Sequence, residues 1–540
     1  MRSDFDTRWH ELAEEVMSGM KEWRFQHSRA TLREIEGALD ERLGQMRARM
    51  LQDLALASAA ADIKVVQGYD RPVCPKCGRV LEARGQQERV LTTHHNQSLK
   101  LERSYGVCPT CGEGFSPLDE ELALLPGSLT PSLQESLVRL GTWMPFGRAA
   151  SELAHFTRTT VSRPTAERIT EGVGAAYVQF QEQEVKRLER EAPLPPAGPA
   201  QQFLSVDGAM APLVGGEWAE VKTLVIGEVS PPVQVKGETV IQTRHHSYFS
   251  RLTDSETFQR LALVETQRRG VETAQAVGAV TDGSEWIQKF VDFHRPDAVR
   301  ILDFPHAGEH INGMGQVIWG ESNPQAQSWL SDQLHRLKYQ GPAPVLTELR
   351  RLVAMQSDQP DLAAHLAYLE KREAHMQYPA FQAAGWPIGD GAVESGNKLV
   401  VEARLKGSGM HWARPHVDPM LALRNIACND RWAEAWPQIV TTLRQQDHQR
   451  RAERRHKRQA QSAVMSGPMS APLLIIPDVP SPVTVAPPPS APDEQSCLVN
   501  PPTPVKPAGP WHPPANHPWR HMPIGRARFK PFAKRTNAKT

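Results

Sequence analysis

Apolar residues recur at helical spacing from about residue 8 to 60, where Trp9, Leu12, Val16, Met20 and Trp23 are followed by Leu32, Ile35, Leu39 and Leu43 among many charges. This predicts two or three amphipathic helices in region 1–62, which either pair subunits or cover a neighbouring domain. Between Tyr69 and Phe115 the pattern changes to short strand-like pieces between glycines, interrupted by CPKCG and CPTCG, so 63–125 reads as a small metal-stapled module. Helical periodicity returns from Thr130 to Val178. Around HFTRTT and VSRPTAERIT, Ser162 suits an N-cap and Pro164 a first turn, and a helix-turn-helix is expected within 126–190.

The proline-rich EAPLPPAGPAQ reads as a linker. Beyond it, QFLSVDGAMAPL, EWAEVKTLVIGEVS and GETVIQTRHHSYFS carry the β-branched alternation of three strands in an antiparallel meander. Helix and strand patterns then alternate through SETFQRLALVETQRRG, AVGAVTDG, SEWIQKFVDFH, AVRILDF and HAGEHINGMGQVIWG. Together they predict a mixed α/β sheet over 200–430 with a helical insertion at about 322–378. After Trp432 the pattern fades, so 431–540 is expected to be a basic (RRAERRHKR), then proline-rich and mostly disordered tail.

Composition narrows the function. A chain of 540 residues with 40% hydrophobic content has room for two to four domains. Its net charge is +1, so any nucleic-acid contact has to come from local basic patches. The sequence has no apolar run of roughly 18 residues and the charged start MRSDFDTRWHELAEE has no signal-peptide core, which predicts a soluble, cytoplasmic protein with no membrane partner. Four of the six cysteines form two CxxC pairs, which suits a reducing compartment where paired thiols hold metal; Cys428 and Cys497 are isolated. Cys74, Cys77, Cys108 and Cys111, in two like turns, specify a tetrahedral structural Zn²⁺ site. His94 and His95 between them read as surface or phosphate-contacting residues rather than ligands.

Asp207 is read as the end of the first strand of the α/β region, Asp282 as the end of the fourth, and Glu394 as opening a helix after GWPIGDGAVES. If the two strands are neighbours, the aspartates share a rim to which the glutamate is added. That set suits two Mg²⁺ (or Mn²⁺) ions about 3.5–4 Å apart and an in-line phosphoryl displacement. A single Asp at a strand end is commonly a turn or cap residue, so the triple carries the argument. Asp390 reads as a structural acid of a flexible loop. Lys398 forms either a simple i,i+4 pair with Glu394 or, with Arg404 and Lys406, a phosphate clamp. His411 and Trp412 either stack on an unpaired base or belong to the core.

The blocks VDGAM, TDGSEW, DFPHAGEH and GWPIGDGAVESGNKLVVEARLKGSGMHW resemble those of the ISKra-type insertion-sequence transposases over about Gln201 to Asp430, and the CxxC module and the NHPWR tail also look like that family. The resemblance implies a DDE catalytic domain of ribonuclease H-like fold with Asp207, Asp282 and Glu394 as the triad. It also implies double-stranded DNA at the element ends and target DNA as partners, a homo-oligomer, and association with the nucleoid. The family's intervening Asp/His block matches Asp303 and His306, which makes Asp303 the reserve acid. The tail from Asn516, with Trp519, Arg520, Arg526, Arg528 and Lys530, is expected to add DNA affinity. Two other classes compete. His306 to His310 (HAGEH) matches the inverted zinc-peptidase motif H-x-x-E-H, with Glu309 as base. A non-catalytic DNA-binding relic or repressor would keep the zinc module and the helix-turn-helix without needing the carboxylates.

Overall fold

The computed structural model of the chain describes residues 5–65, 71–235, 238–321, 323–356 and 358–465. The expected DNA-binding tail from Asn516, and Cys497, lie outside the described residues.

Helices α1 (Asp6–Gln26) and α2 (Leu32–Leu56) form an antiparallel arm, and a reciprocal Thr31–Glu34 capping box starts α2. Ala48 of α2 packs against Leu91 of β1 (Glu82–Thr92) and against Leu99 and Leu101 of β2 (Ser98–Val107). These strands form an antiparallel hairpin to which β3 (Gly114–Phe115) adds. In α3 (Pro117–Glu121), Asp119 is buried and takes charged hydrogen bonds from Arg103 at 2.6 Å and Arg89 at 2.9 Å, fixing the module against its own hairpin. Three helices follow: α4 (Pro131–Trp143), α5 (Phe146–Thr157) and α6 (Arg163–Glu191). Arg158 adopts φ 54° to end α5, and the Ser162 hydroxyl accepts the Thr165 N–H to start α6. The hairpin tip docks on this turn, where the Thr159 hydroxyl donates to Thr93 O and the Thr160 N–H to Asn96 Oδ1 at 3.0 Å.

The α/β region contains β4 (Gln201–Pro212), β5 (Trp218–Val229), a small ribbon of β6 (Val233–Val235) and β7 (Glu238–Val240), and β8 (Thr243–Arg251). After α7 (Ser255–Leu261) and α8 (Leu263–Arg268) come β9 (Ala276–Thr281), α9 (Glu285–His294) and β10 (Val299–Leu302). Five of these strands make one mixed sheet in the order β10-β9-β4-β5-β8, with β9 parallel to β4, β10 parallel to β9, and β5 antiparallel to both its neighbours. Strand alternation divides its residues. Leu204, Val206, Leu224 and Ile226 face Phe258, Ile287 and Phe290 of α7 and α9. Phe203, Val225 and Val280 face the other way, toward α10 (Phe304–Trp319), α11 (Pro324–Gln340), α12 (Pro342–Met355), α13 (Pro360–Lys371) and α14 (Tyr378–Ala383). Gly278 of β9 is obligatory here, because a Cβ would lie 2.4 Å from the Trp386 ring laid across it.

The chain then enters α15 (Gly391–Gly396), a π-helical turn over Asn397–Glu402, and a last turn α16 (Ala403–Leu405). Helix α17 (Arg414–Cys428) crosses α6 so closely that a Cβ on Gly174 would meet the Pro419 carbonyl at 2.2 Å. Helix α18 (Trp432–Met465) replaces the fading order expected after Trp432. Its apolar positions Trp432, Ala435, Ile439 and Leu443 enter the core shared by α4, α6, α17 and the far ends of β4 and β5. Further along, Arg444 and His448 both bind Glu120, and the Arg455 guanidinium donates to Gly112 O. Arg455 of the basic run, with Arg444 and His448 before it, therefore straps the cysteine module. No helix among the described residues is long and apolar enough to cross a membrane.

His294, at the end of α9, is half-buried, with Nε2–H donating to Gln259 O at 2.9 Å and Nδ1 beside the Thr266 hydroxyl. Burial pushes its pKa down to about 4 from the ordinary 6.5. The unfolded chain thus binds a proton between those values that the folded chain refuses, and stability has to fall as pH is lowered from about 6.5 toward 4, by up to about 3 kcal/mol. Thermal melts across this range should be steeper for the wild type than for His294→Gln. Equal slopes would show that His294 does not carry the effect.

Candidate functional site

Three aspartates meet at one rim of the sheet. Leu204 lies opposite Ala279 and Thr281 opposite Leu302; carrying both registers forward places Asp207 of β4 abreast of Asp282 and Asp303, the residues directly after β9 and β10. Asp207 and Asp282 keep the parity of Phe203 and Val280, so they project to the face carrying α10 and α15. Asp207 does not end its strand. Pairing with β5 runs on to Pro212 opposite Trp218, and Gly208 is needed because the Glu220 side chain crosses where its Cβ would be.

Each acid is held differently. Asp207 accepts from Asn397 Nδ2 at 2.9 Å; burial first, then the charge of Asp282, raises its pKa. Asp282 Oδ1 accepts the Ser284 N–H at 2.8 Å, while Tyr368 and Arg372 of the helical insertion donate to the carbonyls of Asp282 and Gly283. The Arg372 guanidinium lies 3.6 Å from the centre of the Tyr368 ring, and the other face of that ring stacks on His310. The insertion thereby clamps the turn that presents Asp282. Asp303 is buried at the N-cap of α10; Oδ2 accepts the His306 N–H at 2.9 Å and Oδ1 the Asp390 N–H at 2.8 Å.

Asp390, expected to be a structural acid on a flexible loop, is a buried member of this group. Burial, followed by the charges of Asp303 and Asp207, pushes its pKa up to about 8. The hydrogen bond to Asp303 pushes His306 up to about 9, making it a cation among the acids. Asp303, His306 and Asp390 can hold a metal ion, since their ligand atoms lie within 4.8 Å of one another. Glu394 stays at the rim, 58% exposed and 3.8 Å from Lys398 in the i,i+4 pair, outside that group.

Two expectations change on burial. Arg404 is not a phosphate clamp: it is 2% exposed, donates to Gly141 O and lies between the rings of Phe146 and Trp412, and burial pushes its pKa down to about 10. Trp412 belongs to the core, with its indole N–H on Leu405 O. Lys406 pairs with Glu402 at 2.7 Å, whereas Lys398 stays exposed. The peptidase geometry is absent from α10, because His306 turns to Asp303 while His310 Nδ1 lies 3.0 Å from His365 Nδ1.

The cysteines form a second centre. Cys74 and Cys108 each begin a knuckle in which a backbone N–H returns to the cysteine carbonyl, from Gly78 at 2.8 Å and Gly112 at 2.9 Å. Those glycines have φ 69° and 66°, which L side chains rarely adopt. The thiols approach to 3.4 Å for Cys74–Cys111 and for Cys77–Cys108. Sulfur atoms 2.3 Å from one tetrahedral Zn²⁺ sit roughly 3.8 Å apart, so the four residues fit zinc. The hairpin between the knuckles packs His95 against Gly44 of α2, which keeps it from the thiols.

No protein-family model matches the chain, and no curated protein does either.

The chain should carry about one zinc, and Cys108→Ser should lose it while the α/β sheet keeps its circular dichroism; a zinc-free wild type that melts normally would sink this assignment. Arg404→Met should destabilise the fold by about 2–4 kcal/mol, because it leaves α4 carbonyls without their buried cation. It should not change the salt slope of DNA binding per folded molecule. A lower slope at unchanged stability would restore the clamp.

Proposed function

We propose that the chain is the transposase of a bacterial insertion sequence, binding the ends of its element and catalysing metal-dependent DNA strand cleavage and strand transfer on a ribonuclease H-like domain. The observation that carries this reading is the row of Asp207, Asp282 and Asp303 on β4 and at the carboxyl ends of the adjacent strands β9 and β10. Further support comes from the sheet, whose first strand is central, with its next two strands to one side and the last two, parallel to it, on the other. This is the order expected of a ribonuclease H-like sheet.

Asp207 and Asp282 would hold Mg²⁺ or Mn²⁺, with Glu394 closing the set from α15. The bound ions would activate a water or 3′-hydroxyl and stabilise the leaving oxygen. What the chain itself contributes is placement. Asn397 fixes the Asp207 carboxylate, and Tyr368 and Arg372 hold the turn behind Asp282. Without a cation, the acids would repel a phosphate.

DNA would be held elsewhere. Arg158, Arg163 and Arg168 are exposed around the α5–α6 turn, and Arg450, Arg454 and Lys457 along α18. These local cations suit phosphate contact in a chain of net charge +1. The arm, with Met17 and Phe25 exposed on α1, is the element we assign to pairing copies in a homo-oligomer.

Asp207→Asn and Asp282→Asn should each abolish cleavage and joining of labelled element ends in Mg²⁺ or Mn²⁺, leaving end binding within about threefold. Loss of cleavage in Arg163→Ala/Arg168→Ala should instead follow loss of binding, with a salt slope smaller by about 2. Near wild-type cleavage by Asp207→Asn would refute the catalytic reading, and binding without cleavage in the wild type would favour a repressor.

A further inference from the structure

Asp390 is 5% exposed, and its carboxylate accepts no hydrogen bond from any described residue. Its backbone alone is engaged, the N–H by Asp303 and the carbonyl by the Val393 N–H. Buried charges in proteins are paired or coordinate metals, and this carboxyl has no hydrogen-bonded counter-ion among the described residues. Its nearest ligand-bearing neighbours are Asp303, itself 1% exposed, and His306, all within 4.8 Å. Ligand atoms each about 2.1 Å from one ion lie at most about 4.2 Å apart, so small side-chain rotations would close the three around it. Asp303 has room for such a bond at Oδ1, which has accepted one N–H and carries a further lone pair, whereas Oδ2 faces both the backbone N–H and the ring Nδ1 of His306. Asn397 adds a buried Oδ1 without a partner close by, while its amide nitrogen holds Asp207.

We propose that Asp303, His306 and Asp390 hold a divalent ion of their own, Mn²⁺ in preference to Mg²⁺ or Ca²⁺, separate from the set that Glu394 would close, with Asp390 as its carboxylate from the α15 side of the rim. The preference follows from the donor set. Imidazole suits transition ions, carboxylate oxygen suits Mg²⁺, Ca²⁺ and Mn²⁺, and Mn²⁺ accepts both. Glu394 is exposed and occupied by Lys398. A part for this ion in strand transfer rests on the transposase reading; its binding does not.

The test is a Mn²⁺ titration of the zinc-loaded full chain, followed by the electron paramagnetic resonance signal of free Mn²⁺. Wild type should bind one Mn²⁺ more than Asp390→Asn, and a tenfold excess of Mg²⁺ should not displace it. Glu394→Gln should bind like wild type. Equal stoichiometry and affinity within threefold for Asp390→Asn, or loss of the ion in Glu394→Gln, would overturn the proposal. If Asp390→Asn fails to fold, Fe²⁺ with ascorbate and peroxide can be used on the wild type. Backbone cuts at 303–306 and 388–391 support the site, and cuts confined to the neighbourhoods of 207 and 282 reject it. The two readings fail separately. A chain that binds Mn²⁺ this way yet never cuts DNA loses the transposase assignment alone, and one that cuts DNA normally as Asp390→Asn with unchanged Mn²⁺ binding loses this proposal alone.

Discussion

The double pairing of β4 is the constraint on which the remainder depends. Its first residues bond β9 in parallel on one edge, while its full length bonds β5 on the other, from Gln202 opposite Glu228 to Pro212 opposite Trp218. The parallel register brings Asp207 abreast of Asp282, and a slip of one residue would turn Asp207 to the face packed by α7 and α9. The longer antiparallel register carries β4 past the rim. There Ala209 and Ala211 pack with α4, α6, α17 and α18. One strand thus joins the acids to the helices that would meet DNA.

A second link joins the same parts through cations. Arg404 donates to Gly141 O near the end of α4, and Arg424, over the Trp143 ring, donates to Leu399 O and Val400 O in the π turn. Both satisfy carbonyls that a helix end or an irregular turn leaves unpaired, so an apolar replacement would fill the volume and orphan the oxygens. Helix α18 adds a third tie, from the shared core to the cysteine knuckles.

The strands were legible because a sheet covered on both faces demands short, β-branched apolar runs such as VKTLVI and FLSV, and the two CxxC turns predicted a thiol cluster from spacing alone. What escaped notice has physical causes. Gly208 after Asp207 looked like a terminator, but strand length is set by the partner, and β5 continues. The loop around Asp390 is rich in glycine and so looked mobile, although Asp303, some 87 positions away, caps it. Arg404 looked like a clamp because a buried arginine has no sequence signature; the two rings it packs against, Phe146 and Trp412, come from elsewhere in the chain. The apolar stripe Trp432, Ala435, Ile439, Leu443, just ahead of the basic run, has the helical spacing that α18 realises.

The π turn at Asn397–Glu402 has a consequence for how this region can vary. A π turn holds one residue more than the α turn it replaces, so the stretches before and after it are out of α-helical phase. Deleting any one residue there would restore regular winding and rotate Glu394 and Asn397 by about 100° relative to Arg404, taking Asn397 off Asp207. The distance between the rim and the buried arginines is therefore counted in whole residues. Even a variant that kept Asn397, Val400 and Val401 would lose this geometry if the stretch were shortened.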